Sequence, residues 1–179
     1  VAQAHLLPHR LMLRGALRKA VYFVGVCVEE KLRGAGIGRE LMATALAELK
    51  RTGVGFSILQ PRWPVFYRKL GWDYGYSRQR YDLPLAEVAE RLPAGVPDLE
   101  WKADVQNCSV LMELYDFFMA SRHGYAARVQ TDWKKILADH RGEGGRVGVL
   151  IRDGQPVLYA LYQRLNTVLR VRELVWREP

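Results

Sequence analysis

Cysteine is scarce in this sequence, and motifs that usually accompany metal, redox or hydrolase chemistry are missing. Two cysteines in 179 residues, Cys27 and Cys108, are too few for a disulfide framework and fit a reducing compartment. No CxxC pair and no G-x-S-x-G elbow occurs, and the four histidines have no metal-ligand spacing. We therefore expect no metal, and nothing supports redox or hydrolase chemistry.

Long apolar runs are also missing. None approaches the roughly 20 residues that a membrane span requires, and the N-terminus VAQAHLLPHR lacks the apolar centre of a signal peptide. We predict a cytoplasmic protein with no membrane partner. Hydrophobic residues make up 49% of the chain, which is enough for a core and excludes disorder. The start at Val1 rather than Met, and the end directly after an apolar strand pattern, predict a piece of a longer polypeptide.

The positive charge is concentrated in one half of the chain. The net charge is +8, with 14 Lys and Arg against 6 Asp and Glu up to Pro84, and 13 against 13 after it. Such a field attracts a phosphate-rich cofactor, nucleic acid or an acidic membrane, and charge alone does not choose between them. The basic cluster formed by Arg10, Arg14, Arg18 and Lys19 fits a solvated sheet face better than a nucleic-acid contact.

The first part of the chain alternates strand and helix patterns. QAHLLP, RLMLRG and KAVYFVGVCVEE predict three successive strands, punctuated by Pro8 and Gly15. A Gly-rich stretch then leads into a helix reaching Arg51, with Gly53 as its stop and an apolar stripe of Ile37, Leu41, Ala45 and Leu49. A buried strand over 54–59 and a short helix over 64–70 follow. A strand, a helix and another buried strand in this order predict a parallel pair in an α/β sheet.

The rest of the chain predicts a second lobe. Residues 85–98 contain Pro93, Gly95 and Pro97 and are typical of a connection between lobes. Helices are expected over 110–121 and 131–140, the latter capped by Thr131, and strands over 147–152, 156–164 and 168–176 with an Asp153-Gly154 hairpin turn. Within the first of these helices, an apolar stripe at helical spacing is most simply explained as part of the hydrophobic core. Its residues are Leu111, Leu114, Tyr115 and Phe118.

The Gly-rich stretch is the main candidate for chemistry. A strand that ends in small residues opening a helix directs backbone N–H groups and the positive end of the helix dipole at one spot, which suits a pyrophosphate. Glycines at 34, 36 and 38 allow close approach, and Arg33 adds a charged fork. Position 39 is Arg, which rejects a G-x-G-x-x-G dinucleotide fingerprint, and Gly-Lys-Ser/Thr of a Walker loop is absent.

The stretch instead matches R-x-x-G-x-G, as Arg33-Gly34-Ala35-Gly36-Ile37-Gly38 after the strand Val26-Cys27-Val28. This resembles the coenzyme A pyrophosphate loop of the GCN5-related N-acetyltransferases (GNAT). A second motif, PVFYRKLGW, lies where the family has a helix opening near a Tyr. The resemblance implies that the backbone of Val26 to Val28 pairs with the pantetheine arm of coenzyme A. It also implies that the pyrophosphate lies against the residues from Arg33 to Arg39. It also implies, more weakly, cofactor contacts by Arg62 and Trp63.

A narrower resemblance covers nearly the whole chain. FYRKLGWDYG, the connection, and DGQPVLYALY with LRVRELVW resemble the Eis (enhanced intracellular survival) family. This implies an α/β fold of two tandem GNAT-like (acyl-CoA N-acyltransferase) lobes, mixed sheets flanked by helices, with only the first lobe binding acetyl-CoA. The expected organisation is 1–84 as the cofactor lobe, 85–98 as linker and 99–179 as a second lobe without a cofactor loop. The family also implies a homo-oligomer, a hexamer.

The resemblance assigns Tyr67 as the general acid that protonates the departing CoA thiolate. A phenol, with its pKa near 10, suits a donor that stays protonated at neutral pH. No clear general base is present: in the Eis family a terminal carboxylate from a third domain serves. Glu29, Glu30 and Asp73 are the nearest acidic residues in sequence and are more simply surface charges.

These observations predict an N-acetyltransferase that moves acetyl from acetyl-CoA to a primary amine by direct attack in a ternary complex. The resemblance suggests aminoglycosides or protein lysines as acceptors, although a polycationic acceptor requires acidic groups that the basic first lobe lacks. Two alternatives stay open, a catalytically inactive CoA-binding regulator and a basic nucleic-acid-binding module. Without a base or complete sheets, the 179-residue chain alone is expected to be poorly active and to associate.

Overall fold

The computed structural model describes residues 1–77, 79–91 and 99–177, and the chain divides into two compact units. The first unit comprises Val1–Tyr81 and Gly124–Ala127, and the second comprises Asp82–His123 and Arg128–Pro179. Each unit contains its own four-stranded sheet with helices, so the predicted α/β class is confirmed. Gly124–Ala127 belongs to the first unit although it lies within 99–179, the range predicted for the second lobe.

The sheet of the first unit has the order β3-β2-β1-β5. Its strands are β1 (Ala2–Leu13), β2 (Ala16–Val28), β3 (Phe56–Leu59) and β5 (Tyr125–Ala126). β1 and β2 form an antiparallel hairpin whose turn, Arg14-Gly15, has positive φ at both residues, so Gly15 ends the strand as predicted. The predicted parallel pairing is confirmed between β2 and β3.

The prediction of two separate strands before the turn is wrong, because β1 runs unbroken through Pro8. Proline cannot donate a hydrogen bond to a neighbouring strand and is tolerated where a strand has one partner. Pro8 lies opposite Val21 of β2, while the described pairing with β5 involves Leu11 and Met12 and does not reach Pro8.

Two helices and one 3-10 turn complete the first unit. They are the 3-10 helix Glu30–Leu32, α1 (Ile37–Arg51) and α2 (Pro64–Arg68). α1 packs Met42 and Leu49 against Val21 and Phe23 of β2. The predicted stripe did not include Met42, which is fully buried. Gly53 follows the helix with φ of +74°, which confirms it as the stop.

The second unit is built on an antiparallel sheet of order β4-β6-β7-β8. Its elements are α3 (Leu85–Arg91), β4 (Leu99–Ala103), α4 (Cys108–Met119), α5 (Gln130–Gly142), β6 (Arg146–Arg152), β7 (Gln155–Leu165) and β8 (Val168–Trp176). The Asp153-Gly154 hairpin turn is confirmed. The predicted connection begins with a helix, α3, and Pro93, Gly95 and Pro97 lie outside the described residues. β4 had not been predicted.

The core of the second unit confirms the α4 stripe at Leu111, Leu114 and Tyr115, which are buried, whereas Phe118 is half-buried. The predicted cap of α5 is wrong. Thr131 lies inside the helix, and the side chain of Asp132 accepts a 2.9 Å hydrogen bond from the backbone N–H of Val129. Asp suits this first-turn position, where a negative charge stabilises the helix.

A partly buried ion pair lies in the second unit. Arg128 donates two 2.8 Å hydrogen bonds to Glu173 of β8, and the hydroxyl of Tyr159 donates a third, at 2.6 Å. The guanidinium also lies over the rings of Tyr115 and Trp133. Both charged groups of this pair thus have partners, which a buried charge requires. Among the residues described, no helix of either unit has the length and apolarity needed to cross a membrane.

Candidate active-site cleft

The two parallel strands of the first unit separate at their carboxyl ends. The described pairing of β2 with β3 ends at Phe23 and Leu59, while β2 continues along β1 to Val28. Beyond Phe23, the edge of β2 that faced β3 therefore presents backbone N–H and C=O groups to an open space. Such an edge can pair with an extended ligand in the way that a further strand would.

A cleft of about 310 Å³ lies at this separation. Tyr67 and Arg62 line it, as does Val26, so the fold brings three of the predicted site residues together. Cys27, Val28 and Trp63 are not among its lining residues. Among the described residues, those that line the cleft are Tyr22, Phe23, Val24, Gly25, Val26, Leu59, Gln60, Arg62 and Tyr67.

A β-bulge at Gly25 shapes the cleft. Between the pairs Gln3↔Cys27 and His5↔Val24, β2 has two residues, Gly25 and Val26, opposite one residue of β1. Gly25 has φ of +60°, and a Cβ there would lie 2.9 Å from Cδ2 of His5. Sequence reasoning missed this residue, although a glycine inside the strand pattern VYFVGVCV is a signal for a bulge.

The predicted pyrophosphate loop has the backbone that an anion site needs. Gly34 and Gly36 have φ of +85° and +83°, and a Cβ on either would meet open space. Gly36 is the N-cap of α1, and no side chain of the described residues caps the start of this helix. The first N–H groups of an α-helix usually have no partner within the helix. At the start of α1 the N–H of Arg39 donates a 2.9 Å hydrogen bond to the carbonyl oxygen of Gly36. The preceding N–H groups, of Ile37 and Gly38, are the ones placed to bind an anion.

The loop is held against the end of β2. Nε of Arg33 donates a 3.2 Å hydrogen bond to the carbonyl oxygen of Val28. A Cβ on Gly38 would lie 3.3 Å from Val28 and 3.6 Å from Phe66, so glycine permits α1 to approach both closely. Val28 lies two residues beyond Val26 of the cleft, and one extended ligand can therefore reach from the loop to the cleft. Arg39 and Ala35 are exposed on this loop, and Ile37 is half-buried.

Tyr67 is presented by α2, a short helix that begins at Pro64. Its ring packs edge-to-face against Phe66 at 5.0 Å and Trp72 at 6.1 Å between centroids. Burial raises the pKa of the Tyr67 phenol above its usual value. The phenol therefore stays protonated at neutral pH and can donate a proton into the cleft.

The acidic residues that the sequence offered as bases do not line the cleft. Asp73 pairs with Arg68 at 3.4 Å, and Glu30 lies 3.9 Å from Arg33. Glu29 follows the end of β2 and is exposed. In the part of the chain that is described, no group of three or more His, Cys, Asp or Glu residues could hold a metal ion.

Residues 1–75 match the family model of the acetyltransferase (GNAT) domain, which covers both the loop and the cleft. No curated protein sequence matches significantly. A GCN5-related N-acetyltransferase from Kribbella flavida aligns over 99% of this chain and 44% of its own, with a TM-score of 0.75 and 22% identity. Eis1 from Mycobacterium abscessus aligns over 99% of this chain and 48% of its own, with a TM-score of 0.71 and 17% identity.

A further solved structure, a probable N-acyltransferase from Enterococcus faecalis, has a TM-score of 0.75 at 18% identity, over 98% of this chain and 45% of its own. The chain thus spans less than half the length of each of these structures. At these identities the likeness concerns the fold. The chain therefore has the fold of the GCN5-related N-acetyltransferases, and its first 75 residues match the GNAT acetyltransferase domain.

Proposed function

We propose that this chain carries the acetyl-CoA-binding part of an N-acetyltransferase, which transfers acetyl to a primary amine by direct attack in a ternary complex. The observation that carries the proposal is the separation of β2 from β3 beside a Gly-rich helix start. One extended strand edge leads from that helix start to the cleft containing Tyr67. This combination suits a ligand with an anionic end, an amide-bearing arm and a reactive tip.

Coenzyme A has those three parts. Its pyrophosphate would accept hydrogen bonds from the backbone N–H groups at Gly34 to Gly38, with the guanidinium groups of Arg33 and Arg39 adding charge. The pantetheine amides would pair with the backbone of Val26 to Val28. The thioester would then lie in the cleft beside Gly25, within reach of Tyr67 and Arg62.

Tyr67 would act as general acid. Attack by the amine forms a C–N bond and breaks the C–S bond, so negative charge develops on sulfur. The raised pKa of the phenol keeps its proton available for that sulfur at neutral pH. The proposed role of Tyr67 belongs to its side chain. The proposed role of Val26 to Val28 belongs to their backbone groups.

We further propose an Eis-type protein that assembles as a homo-oligomer and acetylates an aminoglycoside-like amine or a protein lysine. The likeness to Eis1 from Mycobacterium abscessus, which extends over 99% of this chain with a TM-score of 0.71, supports this assignment. The described residues that line the cleft include Arg62 and no carboxylate, so acidic groups that attract a polycationic acceptor would come from outside this lining.

Calorimetry tests the binding step. CoA should bind with a much lower Kd than adenosine, because the pyrophosphate and pantetheine make most of the expected contacts. At physiological salt the protein should prefer CoA to short duplex DNA or RNA. Steeply salt-dependent binding to oligonucleotides that CoA does not displace would favour a nucleic-acid-binding module instead. CoA binding without turnover on any amine would favour an inactive CoA-binding regulator.

A further inference from the structure

His5 is the imidazole nearest to the bulge of the cleft. It lies on β1 opposite Val24, and its ring covers Gly25: a Cβ on Gly25 would lie 2.9 Å from Cδ2 and 3.7 Å from Nε2. Val24 and Gly25 both line the cleft. The ring is exposed, so a substrate entering the cleft can approach it from solvent.

His5 lies on the face of the sheet opposite to the core and α1. Ala4 and Leu6, its neighbours along β1, pack on the core beneath α1. Side chains alternate along a strand, so His5 projects from the opposite face of the sheet. The predicted pyrophosphate loop leads into α1, which packs on the core face, and a Cβ on Gly38 there would lie 3.3 Å from the side chain of Val28. An acceptor that attacks a bound thioester needs a second direction of approach, and His5 lies on the face that α1 leaves open.

We infer that His5 is the general base of the proposed acetyl transfer, an inference that rests on the proposed function. The described cleft lining has no carboxylate and no imidazole, and Asp73 and Glu30 are paired with arginines outside it. Among side-chain types, histidine is the one that ordinarily gains or loses a proton between pH 5 and 8. This suits a general base that works near neutral pH.

The proton balance is complete with the groups named. An acceptor ammonium first loses one proton to Nε2 of His5, directly or through one water, and becomes a nucleophile. Its nitrogen then bonds to the thioester carbon, the C–S bond breaks, and Tyr67 gives its proton to sulfur. The second proton lost by nitrogen restores the Tyr67 phenol, and His5 releases the first to solvent.

The register of β1 and β2 places three ionisable residues on the same sheet face as His5. His9, Tyr22 and Cys27 share its face, on β1 and β2. His9 packs against Tyr22, with ring centroids 5.8 Å apart, and lies four residues from His5. No Asp, Glu, Lys or Arg occupies the described positions of that face next to His5 in the register. His9 therefore provides a matched control, the same residue type on the same strand face but away from Gly25.

The test compares His5→Gln with His9→Gln in the full-length protein, using a panel of small primary amines. We expect His5→Gln to lower kcat/KM about 100-fold near neutral pH, within the usual range for a general base. The loss should shrink as the pH approaches the pKa of the acceptor, because the amine then needs no base. Affinity for CoA, measured by calorimetry, should stay unchanged in both variants, and His9→Gln should keep wild-type rates.

The possible failures are distinguishable. If the wild type acetylates an amine while His5→Gln keeps its rate and pH profile, the base lies elsewhere and the proposed function stands. Equal losses in the two variants would also overturn the role of His5. If the wild type binds CoA yet acetylates no amine in the panel, the proposed function fails and the role of His5 fails with it.

Discussion

Tyr67 packs edge-to-face against Trp72, with ring centroids 6.1 Å apart and ring planes at 85°. Trp72 in turn packs at 87° against Phe23 of the buried core. The phenol is therefore held by a ring that is itself fixed to the sheet. This contact positions the proposed proton donor at the wall of the cleft.

Tyr67→Phe should lower kcat by about 100-fold and change the KM for acetyl-CoA little, since the proton matters when charge builds on sulfur. Steady-state kinetics of the full-length protein measures both constants. Tyr74→Phe is the control, because Tyr74 is exposed and does not line the cleft. An unchanged kcat would remove Tyr67 from the mechanism.

Substitutions of Trp72 measure how much its aromatic packing stabilises the first unit. Trp72→Phe keeps an aromatic ring against Phe23 and Tyr67 and should cost less than about 1.5 kcal/mol of unfolding free energy. Trp72→Ala should cost about 2–4 kcal/mol through lost packing. Urea denaturation followed by circular dichroism measures both. Trp63→Ala, at a residue that is 71% exposed, should change stability by under about 0.5 kcal/mol.

Two glycines that flank α1 allow a matched test of the proposed anion site. Gly36 and Gly53 lie at opposite ends of the helix, both with positive φ, and a Cβ on either would meet open space. Aspartate at either place imposes similar backbone strain, but only at Gly36 does its carboxylate repel a pyrophosphate. Gly36→Asp should weaken CoA binding at least about tenfold in calorimetry, by the cost of like charges in contact. Equal CoA affinity in the two variants would contradict the proposed loop.

The ion pair of the second unit predicts a pH dependence of stability. Burial would raise the pKa of Glu173, but the hydrogen bonds and charge of Arg128 outweigh burial, and the pKa lies below its usual value. A carboxylate with a lowered pKa stabilises the fold above its unfolded pKa, near 4.3, and loses that contribution as the pH falls through the folded value.

Glu173→Gln should therefore cost about 2–3 kcal/mol at pH 7, because Arg128 keeps a partly buried charge without its counter-ion. The difference from wild type should narrow below about pH 4. Denaturation at a series of pH values measures it. Glu143→Gln removes an exposed pair with Arg172 and should cost at most about 1 kcal/mol. Similar losses in the two variants would contradict the role of burial.

Local sequence signals were sufficient for several elements. Gly15, Gly53 and Asp153-Gly154 ended strands or a helix as predicted, because positive φ is a local requirement that few residues meet. The parallel pairing of β2 and β3 followed from the order of strand, helix and strand. Two predictions from local residue preferences were wrong. Pro8 does not interrupt β1, and Thr131 does not cap α5.

The sequence by itself determined most helices and strands of this protein and the glycine-rich loop before α1, because periodicity and backbone restriction act between residues close in the chain. Only the tertiary structure decided where β2 and β3 separate and that His5 lies on Gly25. It also decided that Arg128 meets Glu173, 45 residues away. Such contacts depend on which strands pair and in which register, which the side-chain pattern along one strand does not specify.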